Sequence, residues 1–453
     1  MSGARTLVLG LGRFGGGAAA ARHLWRHGHR VRIADQAGPD SLADAVRALA
    51  DTDVEWCLGR QDEALLDGVE RVVVNPAIPP AHPLLQAARA RGLVCTQEVE
   101  LFLAAYPGRV VVVTGTNGKS STTTLCAAVL RRSGPATLCG GNIGHSLLDD
   151  EDRWRADQVA VLEVSSFQLE RLDPERCAVE GAVITRVTED HVDRHGTVAA
   201  YHRAKATAAR LARRFVVHAA DDPVASGFTT PAPTRRTFAL GAADAAATLD
   251  RSWLRLGRER LAHRDALLLT GDFQVENALA AALVGERFAV PAHAIGVALA
   301  TARPLRWRLA CVGRRAGCEW WDNAVSTVPE STLSALRALG RGVRWVGGGR
   351  SKAGHGVLPD VARALAPLLA SAHLFGDVAV PLGSALSALG VPTTVHERVP
   401  AALDAAQAAA RAGDRLLFSP GFASFDQYPN FRARAEEFER WLALAVDPLR
   451  RVS

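Results

Sequence analysis

Short apolar runs alternate along most of the chain with alanine-rich stretches of helical period, the pattern of strands feeding helices in a parallel sheet. The first run, residues 6–9, breaks into Gly10, Gly12 and Gly15 before a helical stretch over 18–27, and the next, 30–34, ends in Asp35. Residues 72–74 lead through Asn75 into a proline-rich loop, and 93–95 complete a first group. Four valines at 110–113 open a second group, continued at 159–164, 181–185 and 215–218. Residues 224–270 are irregular, with short antiparallel strands expected near 253–256 and 266–269 and a helix from 275 to about 288. After Pro304 the alternation restarts, with strands at 342–346, 372–375 and 415–419 that end in small residues.

Two of these strand ends carry glycine patterns with chemical content. Gly10, Gly12 and Gly15 give G-x-G-x-x-G with Asp35 about twenty residues on, a dinucleotide-type fingerprint, although a turn without ligand would use the same residues. After the four valines come Gly115, Thr116, Asn117, Gly118, Lys119, Ser120 and Ser121. Glycines there let backbone N–H groups approach an anion, and a helix starting near Ser120 aims its positive end at the same anion. Lys119 would reach the outer phosphates of a nucleotide and Ser120 would ligate magnesium. Val113 stands where a strict eight-residue phosphate loop has its first glycine, and a plain glycine turn would also suit the segment. The expected fold is α/β in three successive domains: an N-terminal Rossmann-like domain over 1–98, a central P-loop ATPase-type parallel sheet over 99–304, and a C-terminal Rossmann-like domain over 305–453.

Composition narrows the class. With 48% hydrophobic and 22% charged residues the chain reads as a soluble globular protein, and it has no run of 18 apolar residues and no cleavable leader pattern. A cytoplasmic protein without membrane insertion is expected. Seven scattered cysteines without a C-x-x-C pair fit a reducing compartment. The net charge of +6 is spread over dispersed arginines, so no nucleic-acid face is indicated. Only Lys119, Lys205 and Lys352 are lysines. Where arginine has replaced lysine almost everywhere else, a surviving amine points to chemistry that a guanidinium cannot perform.

Behind the phosphate loop, Glu163 lies in an apolar strand, where an acid needs a partner or a metal. His191 sits in the ligand-dense segment 187–195 and is a metal-ligand candidate, though a charged surface loop would have a similar composition. Lys205 falls on a helix shortly after.

In order along the chain, TGTNGKS at 114–120, GGNIG at 140–144, LEVSSFQLE at 162–170, VTEDHVDR at 187–194, RAK at 203–205 and SPGFASFDQYPNFRAR at 419–434 resemble the motifs of the Mur ligase family. The resemblance covers nearly the whole chain, and is strongest to the branch that adds D-glutamate to UDP-N-acetylmuramoyl-L-alanine. It implies ATP and Mg2+ as cofactors, an acyl-phosphate intermediate in peptidoglycan precursor synthesis, and a monomer. It also implies catalytic roles for Lys119, His191 and Lys205, with Ser120, Glu163, His191 and a carbamate on Lys205 as metal ligands. Nucleotide contacts would come from residues 115–121, Asn277, Arg306 and Asn323. The UDP-sugar substrate would meet Arg13, Phe14, Asp35, Asn75, Asn142, Ser165 and Gln168. Glutamate would meet Thr327, Lys352, Ser424, Phe425 and Phe431.

The chain departs from the family pattern in its later half. Phe273 and Leu305 replace histidines, Asn323 an aspartate, Val325 a lysine and Arg350 an acid. These changes keep two alternatives open: the same chemistry with another amino acid such as L-glutamate, or a non-catalytic paralogue that binds UDP-muramoyl peptides. A nicotinamide oxidoreductase would leave the phosphate loop unexplained.

Overall fold

A computed structural model describes residues 4–12, 15–241, 244–445 and 447–448. The first sheet holds β1 (Arg5–Leu9), β2 (Arg30–Asp35), β3 (Glu55–Leu58), β4 (Arg71–Val74) and β5 (Val94–Thr96), all parallel, in the order β3-β2-β1-β4-β5. Both faces are covered, which explains why its strands are apolar without alternation. Leu7, Leu9, Val72 and Val74 pack on Leu84, Leu85 and Ala88. Val8, Ile33 and Val73 pack on Ala18 to Ala21 of the helix Gly16–Arg26.

The central sheet adds β6 (Arg109–Thr114), β7 (Thr137–Gly141), β8 (Val159–Glu163), β9 (Val179–Ile184), β10 (Ala212–Ala219), β11 (Thr234–Leu240), β12 (Ala247–Asp250), β13 (Trp253–Leu256) and β14 (Glu259–His263). Its order is β14-β13-β12-β11-β10-β9-β6-β8-β7, parallel from β7 to β12 and antiparallel across β12-β13-β14. The expected strand at 253–256 is β13. Its partner is β14, not residues 266–269: Gly257 at φ +56 helps close a tight hairpin, and Arg264–Ala266 is a single 3₁₀ turn.

The last sheet contains β15 (Ala310–Arg315), β16 (Cys318–Asp322), β17 (Val343–Gly348), β18 (Leu369–Phe375), β19 (Thr393–His396), β20 (Arg415–Gly421) and β21 (Asp447–Pro448), ordered β19-β18-β17-β20-β16-β15-β21. The chain forms two compact units. Met1–Arg264 with Glu276–Ala300 is one, and Asp265–Val275 with Thr301–Ser453 the other. The first two sheets share a unit because one apolar cluster runs from Val8 and Ile33 through Phe102 and Tyr106 to Val112 and Ala182. Residues 265–275 go with the second unit, where Phe273 packs against the cluster of Leu336, Leu339 and Trp345. Among the described residues no helix is long and apolar enough to cross a membrane.

In all three sheets the strand order reverses beside the strand that feeds a glycine loop: β1 next to β4, β6 between β8 and β9, and β17 next to β20. Such switch points open a crevice at the carboxyl ends of parallel strands, which is where α/β sheets bind ligands.

Candidate active site

At the first crevice, Gly10 and Gly12 adopt φ of +82° and +71°, and a Cβ on Gly12 would come within 2.5 Å of the Asn75 Nδ2. Asn75 is itself fixed, since its Oδ1 accepts from Ala77 N at 2.9 Å. Asp35 Oδ2 accepts from Leu11 N at 2.8 Å, and its Oδ1 from Ala37 N at 2.9 Å. Asp35 therefore shapes the glycine loop directly. Arg13 and Phe14 lie outside the described residues.

At the central crevice β6 carries buried valines up to Val113, which pairs with Glu163 and Val183. The position expected to hold a loop glycine is thus still strand. The loop that follows is tied on both sides. Thr185 Oγ1 donates to Asn117 O at 2.5 Å, Thr116 N donates to Arg186 O at 2.7 Å, and Thr116 Oγ1 lies 2.9 Å from the Tyr201 hydroxyl. Gly118, at φ +82, caps the helix Lys119–Ser133, and a side chain there would run into the Asn277 carboxamide. Lys119 Nζ donates to Gly115 O at 3.1 Å and Thr116 O at 2.6 Å, so its ammonium stays over the loop. Ser120 and Ser121 are buried in the first helical turn, whose N–H groups have no intrahelical acceptor. Loop, helix end and ammonium together make a cradle whose charge and N–H groups suit an anion.

Glu163 ends β8 beside this cradle and is 2% exposed. Asn142 Nδ2 donates to its Oε1 at 3.0 Å, while among the described residues Oε2 is buried without a hydrogen-bond partner. A buried carboxylate oxygen left unpaired costs several kcal/mol, and a hard divalent cation would satisfy it. The donor set therefore fits magnesium. Lys205, on the helix Val198–Leu211, is 1% exposed and donates to Gly115 O at 2.7 Å and Thr114 Oγ1 at 3.1 Å. Burial, and then the neighbouring charge of Lys119, push its ammonium well below the usual range, against the pull of Glu163 and Asp190. The shift favours the neutral amine, which is the form that adds to carbon dioxide.

His191 has φ of +51° at the start of the turn Val192–His195, its Nε2 3.4 Å from Asp190 Oδ2 and its ring 5.0 Å from Phe167. Ser165 and Gln168 form a reciprocal capping box on the turn Ser166–Leu169, and Gln97 donates to Gln168 O at 2.8 Å. Asp35, Asn75, Asn142, Ser165, Gln168, Glu163, Lys205, His191, Asn277 and residues 115–121 thus all belong to the first unit.

The remaining candidates belong to the second unit, where β17 and β20 end together. Lys352 is exposed in the turn after Gly348 and Gly349, Thr327 is half-buried, and Phe425 is 67% exposed. Ser424 is buried, its hydroxyl without a partner among the described residues. Phe431 stands edge-on to Trp307, 6.3 Å between centroids. Arg350 Nε donates to Asp377 Oδ2 at 2.7 Å. Asn323 is buried and donates to Ser419 Oγ at 3.0 Å. Arg306 pairs with Glu439 and lies over the Trp307 ring at 4.3 Å. Asp322 accepts from Ala324 N at 2.9 Å, and burial pushes its carboxyl up to about 7.

Three residues with structural authority over the sites were not singled out from sequence. Thr185 and Tyr201 brace the phosphate loop from neighbouring elements. Arg434 is fully buried and donates to Phe422 O at 3.0 Å, Ser326 O at 3.1 Å and Gly348 O at 3.4 Å, joining three loops of the second unit. The only sequence signal for Arg434 is its place at the end of the 419–434 motif.

Comparison with known proteins agrees with this layout. The N-terminal domain of MurD-like Mur ligases matches residues 4–97, and the Mur ligase middle domain matches 113–285. The UDP-N-acetylmuramoylalanine--D-glutamate ligase of Roseiflexus sp. (strain RS-1) is 34% identical, over 97% of this chain and 98% of its own. That of Anaeromyxobacter dehalogenans (strain 2CP-C) is also 34% identical, over 97% of each. Among solved structures, UDP-N-acetylmuramate-alanine ligase MurC from Thermotoga maritima shares the fold at TM-score 0.64 and 18% identity, covering 97% of this chain and 99% of its own. MurF ligase from Thermotoga maritima in complex with ADP does so at TM-score 0.60 and 15% identity, covering 91% and 94%. The chain belongs to the Mur ligase family.

Proposed function

We propose that the chain is an ATP-dependent ligase that joins D-glutamate to UDP-N-acetylmuramoyl-L-alanine in peptidoglycan precursor synthesis, acting as a cytoplasmic monomer. The observation that carries this reading is the meeting of three features at the end of the central sheet: the cradle with Lys119, the orphaned Glu163 oxygen and the fully buried Lys205 amine resting on Gly115 O. D-glutamate is the amino acid named for the relatives that match over nearly the whole chain.

In this reading the substrate carboxylate attacks the γ-phosphorus of ATP and ADP departs. The glutamate amine then adds to the acyl phosphate, loses a proton and expels phosphate. Both steps need charge neutralisation and alignment more than covalent help. Lys119 and the loop amides hold the outer phosphates, with Asn277, Arg306 and Asn323 as further nucleotide contacts. Ser120 and Glu163 would hold one magnesium, and His191 with carbamylated Lys205 a second. Such ions supply neutralisation of the phosphoryl charge. Asn142, Ser165 and Gln168 position the muramoyl-alanine part, and Asp35 and Asn75 the uridine end. Thr327, Lys352, Ser424, Phe425 and Phe431 receive glutamate. Because Arg350 replaces an acid of the family pattern near Lys352, another amino acid is the second reading.

The test is phosphate release by purified protein with ATP, magnesium and UDP-N-acetylmuramoyl-L-alanine across a panel of amino acids. Release with D-glutamate alone supports the proposal. Release with a different amino acid selects the second reading, and tight nucleotide-sugar binding without turnover selects a non-catalytic role.

A further inference from the structure

His23 lies in the last turn of the helix Gly16–Arg26 and His27 is its C-cap, and both face Glu151 in the 3₁₀ segment Leu147–Arg153 that follows β7. His23 Nδ1 is 3.0 Å from Glu151 Oε2, and His27 Nε2 is 3.1 Å from Oε1. The three ligand atoms lie within 4.8 Å of one another. His23 is 8% exposed, with Trp154 against its ring, whereas His27 is 50% exposed, so the cluster has a dry inner wall and a wet outer side.

Hydrogen placement makes the cluster more than a pair of contacts. His27 Nδ1 is 2.8 Å from the carbonyl oxygen of His23. A carbonyl cannot donate, so Nδ1 carries the hydrogen, and the Nε2 of a neutral ring turns a lone pair toward a carboxylate oxygen. Two acceptors 3.1 Å apart repel unless a cation lies between them. That cation is either a proton on Nε2 or a metal ion. An imidazole whose Nδ1–H is anchored on a backbone carbonyl is also how metal-ligating histidines are commonly oriented.

We propose that His23, His27 and Glu151 form a binding site for a divalent cation of the zinc class, with water from the exposed side as its remaining ligand. Two imidazoles and a carboxylate suit such a borderline ion, in contrast to the oxygen set around Glu163. Tetrahedral bonds of about 2.1 Å place donors about 3.4 Å apart. Each ring already stands 3.0–3.1 Å from one of the two Glu151 oxygens, and with a single carboxylate oxygen as ligand the three donor atoms lie within 4.8 Å of one another. The adjustment falls on the two rings, whose centroids are 4.4 Å apart. Since the ligands come from the helix under the first sheet and the segment after β7, the ion staples those two parts of the first unit together. Arg22 and Asp149 form an ion pair across the same two elements, which neutralises one of the nearby arginines; Arg26 is the other positive charge beside His23.

The test uses untagged full-length protein, stripped with chelator and kept in excess magnesium, titrated with zinc against a chromophoric competitor. One equivalent per chain should bind, and the thermal midpoint should rise with zinc. His27→Ala and the shape-conserving Glu151→Gln should each weaken binding by more than the about tenfold that even outer-shell changes produce, and should abolish the zinc-dependent rise. His27 is half exposed, so the zinc-free midpoint of its variant should match wild type. Cobalt in place of zinc should give bands of a nitrogen–oxygen site. No binding in competition, unchanged binding in both variants, or a cobalt–thiolate band from any of the seven cysteines would overturn the proposal.

Discussion

Lys205 Nζ lies 2.7 Å from the carbonyl oxygen of Gly115, so a fully buried amine rests on the first residue of the phosphate loop. Burial, and then the charge of Lys119, disfavour its protonated form. An arginine at this position would keep a charge and a donor but could not become a carbamate. Lys205→Arg is expected to lower phosphate release by about 10²–10³-fold or more, the scale seen when a group stabilising transition-state charge is lost. Wild-type turnover should fall when carbon dioxide is removed and return with bicarbonate. A variant as fast as wild type would remove the carbamate from the mechanism.

Gly118 is constrained twice, by φ of +82° and by the Asn277 carboxamide, which also accepts from Thr122 Oγ1 at 3.0 Å. Gly118→Ala should cost about 1–2 kcal/mol in backbone strain and displace Asn277 from the loop. ATP binding, measured by fluorescence titration, is expected to weaken by about tenfold or more. Gly92→Ala provides the control: φ is +71 there too, but a Cβ meets nothing within 4 Å, so stability should fall while ATP affinity stays unchanged.

What the sequence made legible were features that are local. Apolar runs marked most parallel strands, and Gly-Lys-Ser after four valines marked the phosphate loop, because strand, turn and helix cap are all written in consecutive residues. Glu163 was legible as an acid in an apolar strand. Long-range support was not: Asp35 looks like a ligand-binding acid at a strand end, yet two of its bonds go to Leu11 N and Ala37 N, and nothing local says so. Residues 137–141 and 234–240, β7 and β11, join the sheet through pairing that their mixed polar composition does not announce.

Asp322 gives a pH dependence with a definite sign. Its carboxyl is raised from 3.8 to about 7 mainly by burial, with Glu439 adding to the rise and Ala324 N and Arg306 opposing it. The folded protein thus holds this proton more tightly than the unfolded chain does. Its contribution to stability is full below about pH 4 and is lost as pH rises through 7, a change of about 4 kcal/mol in all. Asp322→Asn keeps an acceptor for Ala324 N and removes the ionisation. Urea midpoints should therefore match wild type near pH 4 and exceed it at pH 8. Equal midpoints at both values would mean that the folded site does not raise this carboxyl.

Arg350 and Lys352 stand two residues apart but are expected to differ in importance. The Arg350 guanidinium is exposed and engaged by Asp377, whereas Lys352 sits in the turn beyond the switch point of the last sheet. Arg350→Ala should change the KM for D-glutamate by no more than about fivefold, the scale of an exposed ion pair. Lys352→Ala should raise it by about tenfold or more with little change in the KM for ATP. A change of preferred amino acid in Arg350→Ala would instead place that guanidinium on the substrate.

Arg434 offers a test of whether the last sheet's loops act as a unit. Burial draws its guanidinium down to about 10, so it remains charged at neutral pH and donates to the carbonyls of Ser326, Gly348 and Phe422. Those carbonyls lie one to four residues before Thr327, Lys352 and Ser424, three of the five residues proposed to receive glutamate. Arg434→Met fills much of the volume but leaves three carbonyls without their donor, at a cost of about 3 kcal/mol or more. Arg434→Lys keeps the charge but cannot span three acceptors as a planar fork does. Both variants should therefore raise the KM for D-glutamate, methionine more than lysine, while the KM for UDP-N-acetylmuramoyl-L-alanine stays near wild type. Urea unfolding separates packing from positioning: a lower midpoint with an unchanged glutamate KM would reduce Arg434 to a packing role.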